Sequence, residues 1–435
     1  MTSSPMPTHR RLSDAVGLHT IRTNAFKTAR LSLYTLLPAH PEDSPMATLL
    51  FGILRRGSQA YPKLSLLNRR LDELYGTTLT LRNFLIGDKH ILSFTAEMLE
   101  EDFLPAGETC DILQGTMDVF AEMLCRPLTD DRGYLRPAVV EQEKISLCDS
   151  IRADVNDPRT YAAMRTRQIT CEGEPYGVSL SGDVDQIMAI TPEEVTQAFE
   201  DHAQASVWEV YYTGRASADR VEKCFVQSFG NALPSPMHIP ETKPHRPTSV
   251  PKLVEESLPV EQGKLCMTWS RRIHDKALYP AAVVLCELLG VMQSAILFRT
   301  VREEIGLCYY CDAAYEGSKG ILTVASGIHP RNRDAAEQAI MNALEKIQDV
   351  QLDSADVELA KLSLQNAYSQ IPESPAAMEA YWFRRLIEGD DIPPENMLAR
   401  LLAVTPDDVV TVARDFVLDT VYFLNAETCD GEEDE

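Results

Sequence analysis

The residues best placed to do chemistry lie in SAILFRTVREEIGLCYY, residues 294–310. Arg302 falls in the last turn of an expected helix, Gly306 breaks that helix, and Tyr309 enters the strand that follows. A guanidinium and a phenol meeting across such a turn are both hydrogen-bond donors, suited to hold a peptide carbonyl or a developing oxyanion. The plainer reading is a solvated cation favoured by the dipole at a helix end, beside a core tyrosine. Other chemistries lack their residues. The nine histidines stand at 9, 19, 40, 90, 202, 238, 245, 274 and 329, and no two are three to five apart, so no helix face offers a His pair to zinc. Cys308-x-x-Cys311 is a single pair in a strand pattern, where residues three apart are expected on opposite faces, which marks them as core thiols. The chain has no G-x-S-x-G, no G-x-x-x-x-G-K-[ST] and no G-x-G-x-x-G, so serine-nucleophile and nucleotide chemistry find no support.

Two similar halves must position these residues. Prolines at 234, 236, 240, 244, 247, 251 and 259 remove backbone donors and fix φ, which predicts an extended connector over 233–260 between residues 1–232 and 261–435. Each half ends in the same way, with ITPEEVTQAFEDHAQASVWEVYYTG at 190–214 and VTPDDVVTVARDFVLDTVYFLNA at 404–426. Thr191 and Thr405 are expected N-caps, followed by Pro192 and Pro406 and by the capping-box acids Glu194 and Asp408. The segment 44–56 reads as a buried helix stopped at Gly57, Leu64 to Leu74 as an amphipathic helix, and 78–98 as a hairpin turning at Gly87-Asp88. Further helices are expected around 113–124, 140–155 and 333–348, together with one long helix from Ala281 to Glu304 and strands at LCYYCDAAYE and GILTVASGI. The resulting fold class is α+β, each half a mostly antiparallel sheet packed with helices.

Composition narrows the function classes. Of 435 residues, 41 are Lys or Arg and 65 are Asp or Glu, a formal net charge of −24. Such a balance argues against phosphate neutralisation, hence against nucleic-acid binding, and against docking on an anionic membrane. The most apolar stretch, 277–298, contains Pro280, Glu287 and Gln293 and reads as a buried helix, not a membrane span. The N-terminus shows no signal-peptide pattern, and ten scattered cysteines predict reduced thiols in the cytoplasm. The terminal GEEDE reads as a solvated acidic tail.

The segment L-F-x-x-V-R-E-x-x-G-L-x-Y, residues 297–309, is similar to the second-half signature of the insulinase (pitrilysin, M16-like) family of metallopeptidases. Residues 174–195, EPYGVSLSGDVDQIMAITPEEV, resemble a first-half segment of that family, and residues 47–80 fall where it places its zinc helix. The resemblance implies an H-x-x-E-H motif at Thr48, Phe51 and Gly52, none of which can ligate zinc or polarise water. Downstream, Glu143 matches the first Glu of the family's E-x6-E helix, and the third ligand position falls on Ser150, beside Asp149. In this family a peptidase can be divided between a zinc-bearing subunit and a zinc-less one that supplies an Arg/Tyr pair. The resemblance implies the second kind: a pseudo-peptidase without metal or catalytic residues of its own, whose Arg302 and Tyr309 contact a peptide substrate held by a zinc-containing homologue. The subgroup implied is the bacterial zinc-less partner linked with modification of elongation factor P. The alternative is a scaffold subunit with no part in catalysis.

Overall fold

The computed structural model describes residues 5–230, 232–349 and 352–426. They form two compact units, each drawn from three separate stretches of chain. The first comprises residues 1–151, 178–241 and 370–393, and the second residues 152–177, 242–369 and 394–435.

The first unit is built on a six-stranded sheet in the order β1-β2-β6-β3-β5-β4. Its strands are β1 (Thr8–Ser13), β2 (Val16–Arg22), β3 (Thr28–Pro38), β4 (Thr78–Ile86), β5 (Lys89–Leu99) and β6 (Val207–Gly214). β4 and β5 are the expected hairpin, tightly paired from Ile86↔Lys89, with Gly87 at φ 53°, which a Cβ-bearing residue resists. Helix Asp43–Arg56 is apolar over most of its surface, so it sinks Ala47, Leu49, Leu50, Phe51, Ile53 and Leu54 into the main core. Each such side chain contributes about 1.5–3 kcal/mol of burial.

The second unit has a five-stranded sheet in the order β7-β11-β8-β10-β9. Its strands are β7 (Lys252–Leu258), β8 (Gly263–Arg271), β9 (Cys308–Glu316), β10 (Ile321–Ile328) and β11 (Phe416–Ala426). Within residues 233–260, then, the last part is a strand, β7, paired parallel to β11.

The sheets share one topology. β6 runs parallel to β2 and antiparallel to β3, as β11 runs parallel to β7 and antiparallel to β8. The edge hairpin β5-β4 therefore corresponds to β10-β9, and β1 is an addition to the first unit. Both closing helices start on complete capping boxes, Thr191 with Glu194 and Thr405 with Asp408. Two helices cross over in sequence. Helix Pro158–Thr170 packs on β8 and β11 of the second unit, and helix Pro375–Glu388 packs on β3 and β6 of the first.

Two expectations are corrected. The long helix over 281–304 is interrupted: α-helix Tyr279–Cys286 widens into a π-turn over Glu287–Val291, breaks, and resumes as a second π-segment, Phe298–Glu304. Gly290 lies so close to β9 that a Cβ there would stand 2.5 Å from the Ala313 nitrogen, and the wide turn lets the backbone fit. The second correction concerns Cys308 and Cys311. Cys308 pairs with Ile328 and Cys311 with Ser326, partners two apart on β10, so the two cysteines share a face and both are buried. A β-bulge inserts one residue between them and shifts the alternation. Among the described residues no helix is long and apolar enough to cross a membrane, and the acidic tail 431–435 lies outside them.

Candidate functional site

The motif positions sit together on helix Asp43–Arg56, and each has been put to structural use. The Thr48 hydroxyl donates to the Leu180 carbonyl at 2.7 Å and accepts from the Asn83 amide at 2.8 Å. Phe51 is buried edge-on against Phe94, ring centroids 5.0 Å apart. Gly52 faces Glu143 of helix Pro137–Ala153: a Cβ there would lie 2.7 Å from the Glu143 Cδ and nearer still to its Oε1. The Glu143 carboxylate accepts from Arg56 Nε at 2.5 Å, its side chain 9% exposed and that of Arg56 30%. Ser150 and Asp149, on the same helix, are exposed. These residues do not fit a catalytic zinc. They offer one carboxylate, already held by a guanidinium, where the ion needs several nitrogen, sulfur or oxygen donors.

The Arg/Tyr locus is of another kind, open where the motif helix is filled. Arg302 is exposed on the second π-segment, its guanidinium over the Phe298 ring at 4.7 Å. Gly306, at φ 69°, turns the chain into β9. Tyr309 is the inserted residue of the bulge, which throws its side chain outward to 58% exposure. Arg302 lies within electrostatic reach of Cys308, next to Tyr309. The Cys308 thiol is brought down to about 7 by its hydrogen bond with Cys311, against burial and with help from Ser326 and Arg302. β9 is the edge of its sheet, so the strand carrying Tyr309 has unpaired backbone groups on its outer side. The core-tyrosine reading of Tyr309 is thus set aside, and the bulge, which period-two counting does not reveal, is the reason.

A polar cluster in the second unit was not foreseen. His245 Nδ1 meets Glu174 Oε1 at 2.6 Å and its Nε2 meets Asp419 Oδ2 at 3.1 Å. Lys319 Nζ reaches Glu174 Oε2 at 2.8 Å. Burial opposes charge on His245, but hydrogen bonds with Asp419, Cys171 and Glu174 outweigh it and lift the imidazole to about 11. Burial would raise Glu174, yet His245 and Lys319 bring it to about 2. Nothing in the spacing of Cys171, Glu174, His245 and Asp419 announces this meeting, because three separate stretches of chain supply it.

The duplicated sheets form a two-half architecture, and the chain is similar to inactive-type proteins of the insulinase (M16) family. The family model described as peptidase M16 inactive domain matches residues 189–364. A Bacillus subtilis (strain 168) protein named probable inactive metalloprotease YmfF is 26% identical over 407 residues, covering 93% of this chain and 95% of its own. Among solved structures, a protein of Enterococcus faecalis V583 superposes with a TM-score of 0.88 at 22% identity, over 98% of this chain and 100% of its own. A peptidase M16 inactive domain from Pseudomonas fluorescens gives 0.77 at 14% identity, over 98% and 100%. At these identities the structures speak for the fold alone.

Proposed function

We propose that this chain is the zinc-less subunit of a two-subunit M16 peptidase and lends Arg302 and Tyr309 to a peptide held at the zinc of a homologous partner. The observation that carries the proposal is the bulge that exposes Tyr309 on an edge strand, with Arg302 on the segment just before it. An extended peptide adds to such an edge through its backbone, and two cationic or phenolic donors alongside suit its carbonyl oxygens. The substrate class is therefore an unfolded peptide, read through its main chain. By resemblance the proposal extends to the zinc-less partners linked with elongation factor P modification.

The test mixes the purified chain with a zinc-bearing M16 homologue from the same organism and follows cleavage of a peptide. The chain alone cleaves nothing. In the mixture Arg302→Ala and Tyr309→Ala each lower kcat/KM by about 10²-fold, the scale of losing one carbonyl-binding donor. Unchanged kcat/KM in both variants, with the complex still formed, would remove the pair from the mechanism and leave the scaffold reading.

A further inference from the structure

The cluster around His245 has the donor set and outer support of a metal site, and we propose that Cys171, Glu174 and His245 bind one borderline-soft divalent cation, of which Zn²⁺ is the natural choice. One ligand atom from each of the three lies within 4.8 Å of the other two. A thiolate, an imidazole and a carboxylate together favour zinc or cobalt over magnesium or calcium, which prefer oxygen alone.

The supporting contacts are already in place. Asp419 accepts from His245 Nε2 at 3.1 Å, which leaves Nδ1 as the coordinating nitrogen. This is the carboxylate–histidine–metal arrangement in which the outer carboxylate fixes the ring and its tautomer. Asp419 is fully buried because β11 bulges between Leu418 and Thr420, and that bulge aims it inward. Lys319 holds Glu174 Oε2 at 2.8 Å, and Oε1 accepts from His245 Nδ1 at 2.6 Å, so an ion entering between these two atoms would replace that hydrogen bond with a bond to each. Cys171 caps helix Pro158–Thr170 and is wholly buried, whereas the Glu174 side chain is 29% exposed and gives the ion its way in.

Metal ligation takes a thiolate and a neutral imidazole, so any protons that Cys171 and His245 carry leave to solvent as the ion binds. The ion would clip the turn after helix Pro158–Thr170 to the connector residue His245 within the second unit.

The experiment titrates metal-free, reduced full-length chain with Co²⁺ and then competes with Zn²⁺. One equivalent of Co²⁺ should produce a thiolate-to-cobalt charge-transfer absorption that Zn²⁺ abolishes. Cys171→Ser, a near-isosteric change, should remove that band while the metal-free melting temperature stays the same. Asp419→Asn should weaken binding by about 10–100-fold, the usual cost of losing an outer-shell carboxylate. Cys308→Ser/Cys311→Ser should leave the band intact. No thiolate–cobalt band in the wild-type chain, or a band that survives Cys171→Ser, would overturn the proposal and leave an ion cluster only.

Discussion

Substituting Gly52 tests whether the former motif helix is held by the Glu143–Arg56 pair. Gly52 lies inside helix Asp43–Arg56 with no positive φ, so alanine there should gain about 1 kcal/mol of helix propensity. Its Cβ, however, would stand 2.7 and 2.9 Å from Glu143 Cδ and Cγ, and the Glu143 side chain must leave. Leaving breaks the 2.5 Å contact with Arg56. A fully buried pair costs about 3–5 kcal/mol to break from one side, and with Arg56 near a third exposed the figure is discounted to about 2 kcal/mol. Gly52→Ala should thus destabilise by about 1 kcal/mol, the difference of the two effects, and Glu143→Ala alone by about 2 kcal/mol. With Glu143 already truncated the obstruction is gone, so adding Gly52→Ala should stabilise by about 1 kcal/mol. The same substitution changes sign with its background, a coupling of about −2 kcal/mol in a double-mutant cycle. Equilibrium urea unfolding in a Trp269→Phe background, where the fluorescence of Trp208 and Trp382 reports the first unit, measures it. Additivity to within about 0.5 kcal/mol, or a stabilising Gly52→Ala in the wild-type chain, would refute the account. The same geometry says that Thr48→His, Phe51→Glu and Gly52→His together will not restore zinc binding while Glu143 stays paired with Arg56.

His90 is fully buried on β5 with neither ring nitrogen partnered among the described residues, and burial, then His202, lowers it to about 3. The native state therefore refuses a proton that the unfolded chain takes up below about pH 6.5, so stability should fall by about 1.4 kcal/mol per pH unit between there and pH 3. His90→Leu should remove that slope and add about 1–3 kcal/mol at pH 7; an unchanged slope in pH-dependent urea melts would exclude His90 as its source. Thr191→Ala and Thr405→Ala each delete a complete capping box and should cost about 1 kcal/mol, measured by urea unfolding, with Ser in place of either Thr restoring most of the loss.

What could be read from the chain was whatever short-range rules govern. The β4-β5 hairpin announces itself through alternation and Gly87, and the two capping boxes through Thr-Pro and an acid at the third helical place. The repeat seen in the two closing segments proved to be the visible end of a duplicated sheet. Features made by distant contacts stayed hidden. The π-turn at Glu287–Val291 answers to the closeness of Gly290 to Ala313, and the bulge at Tyr309 answers to the register of β10. The crossing of helices Pro158–Thr170 and Pro375–Glu388 between units leaves no local trace, since an apolar face does not say which sheet will cover it. For the same reason Arg56 reads in sequence as an ordinary cation of a last turn, yet it occupies Glu143 where the family would bring a metal.

The two loci differ in a way that folding energetics divides cleanly. At the motif helix every change serves stability: Phe51 fills the core, Thr48 satisfies Leu180 and Asn83, and Arg56 neutralises Glu143. The fold there is complete without an ion. At the second locus the opposite holds. Tyr309 is 58% exposed, and Ile305 and Val291, from the same stretch of chain, are 55% and 53% exposed. A phenol and two aliphatic side chains left in water contribute little to holding the second unit together, and a β-bulge that turns a tyrosine outward disrupts ladder pairing for no gain in packing. Stability explains the first arrangement and not the second, which is why the proposed function rests on Arg302 and Tyr309 and not on the helix where the family keeps its zinc.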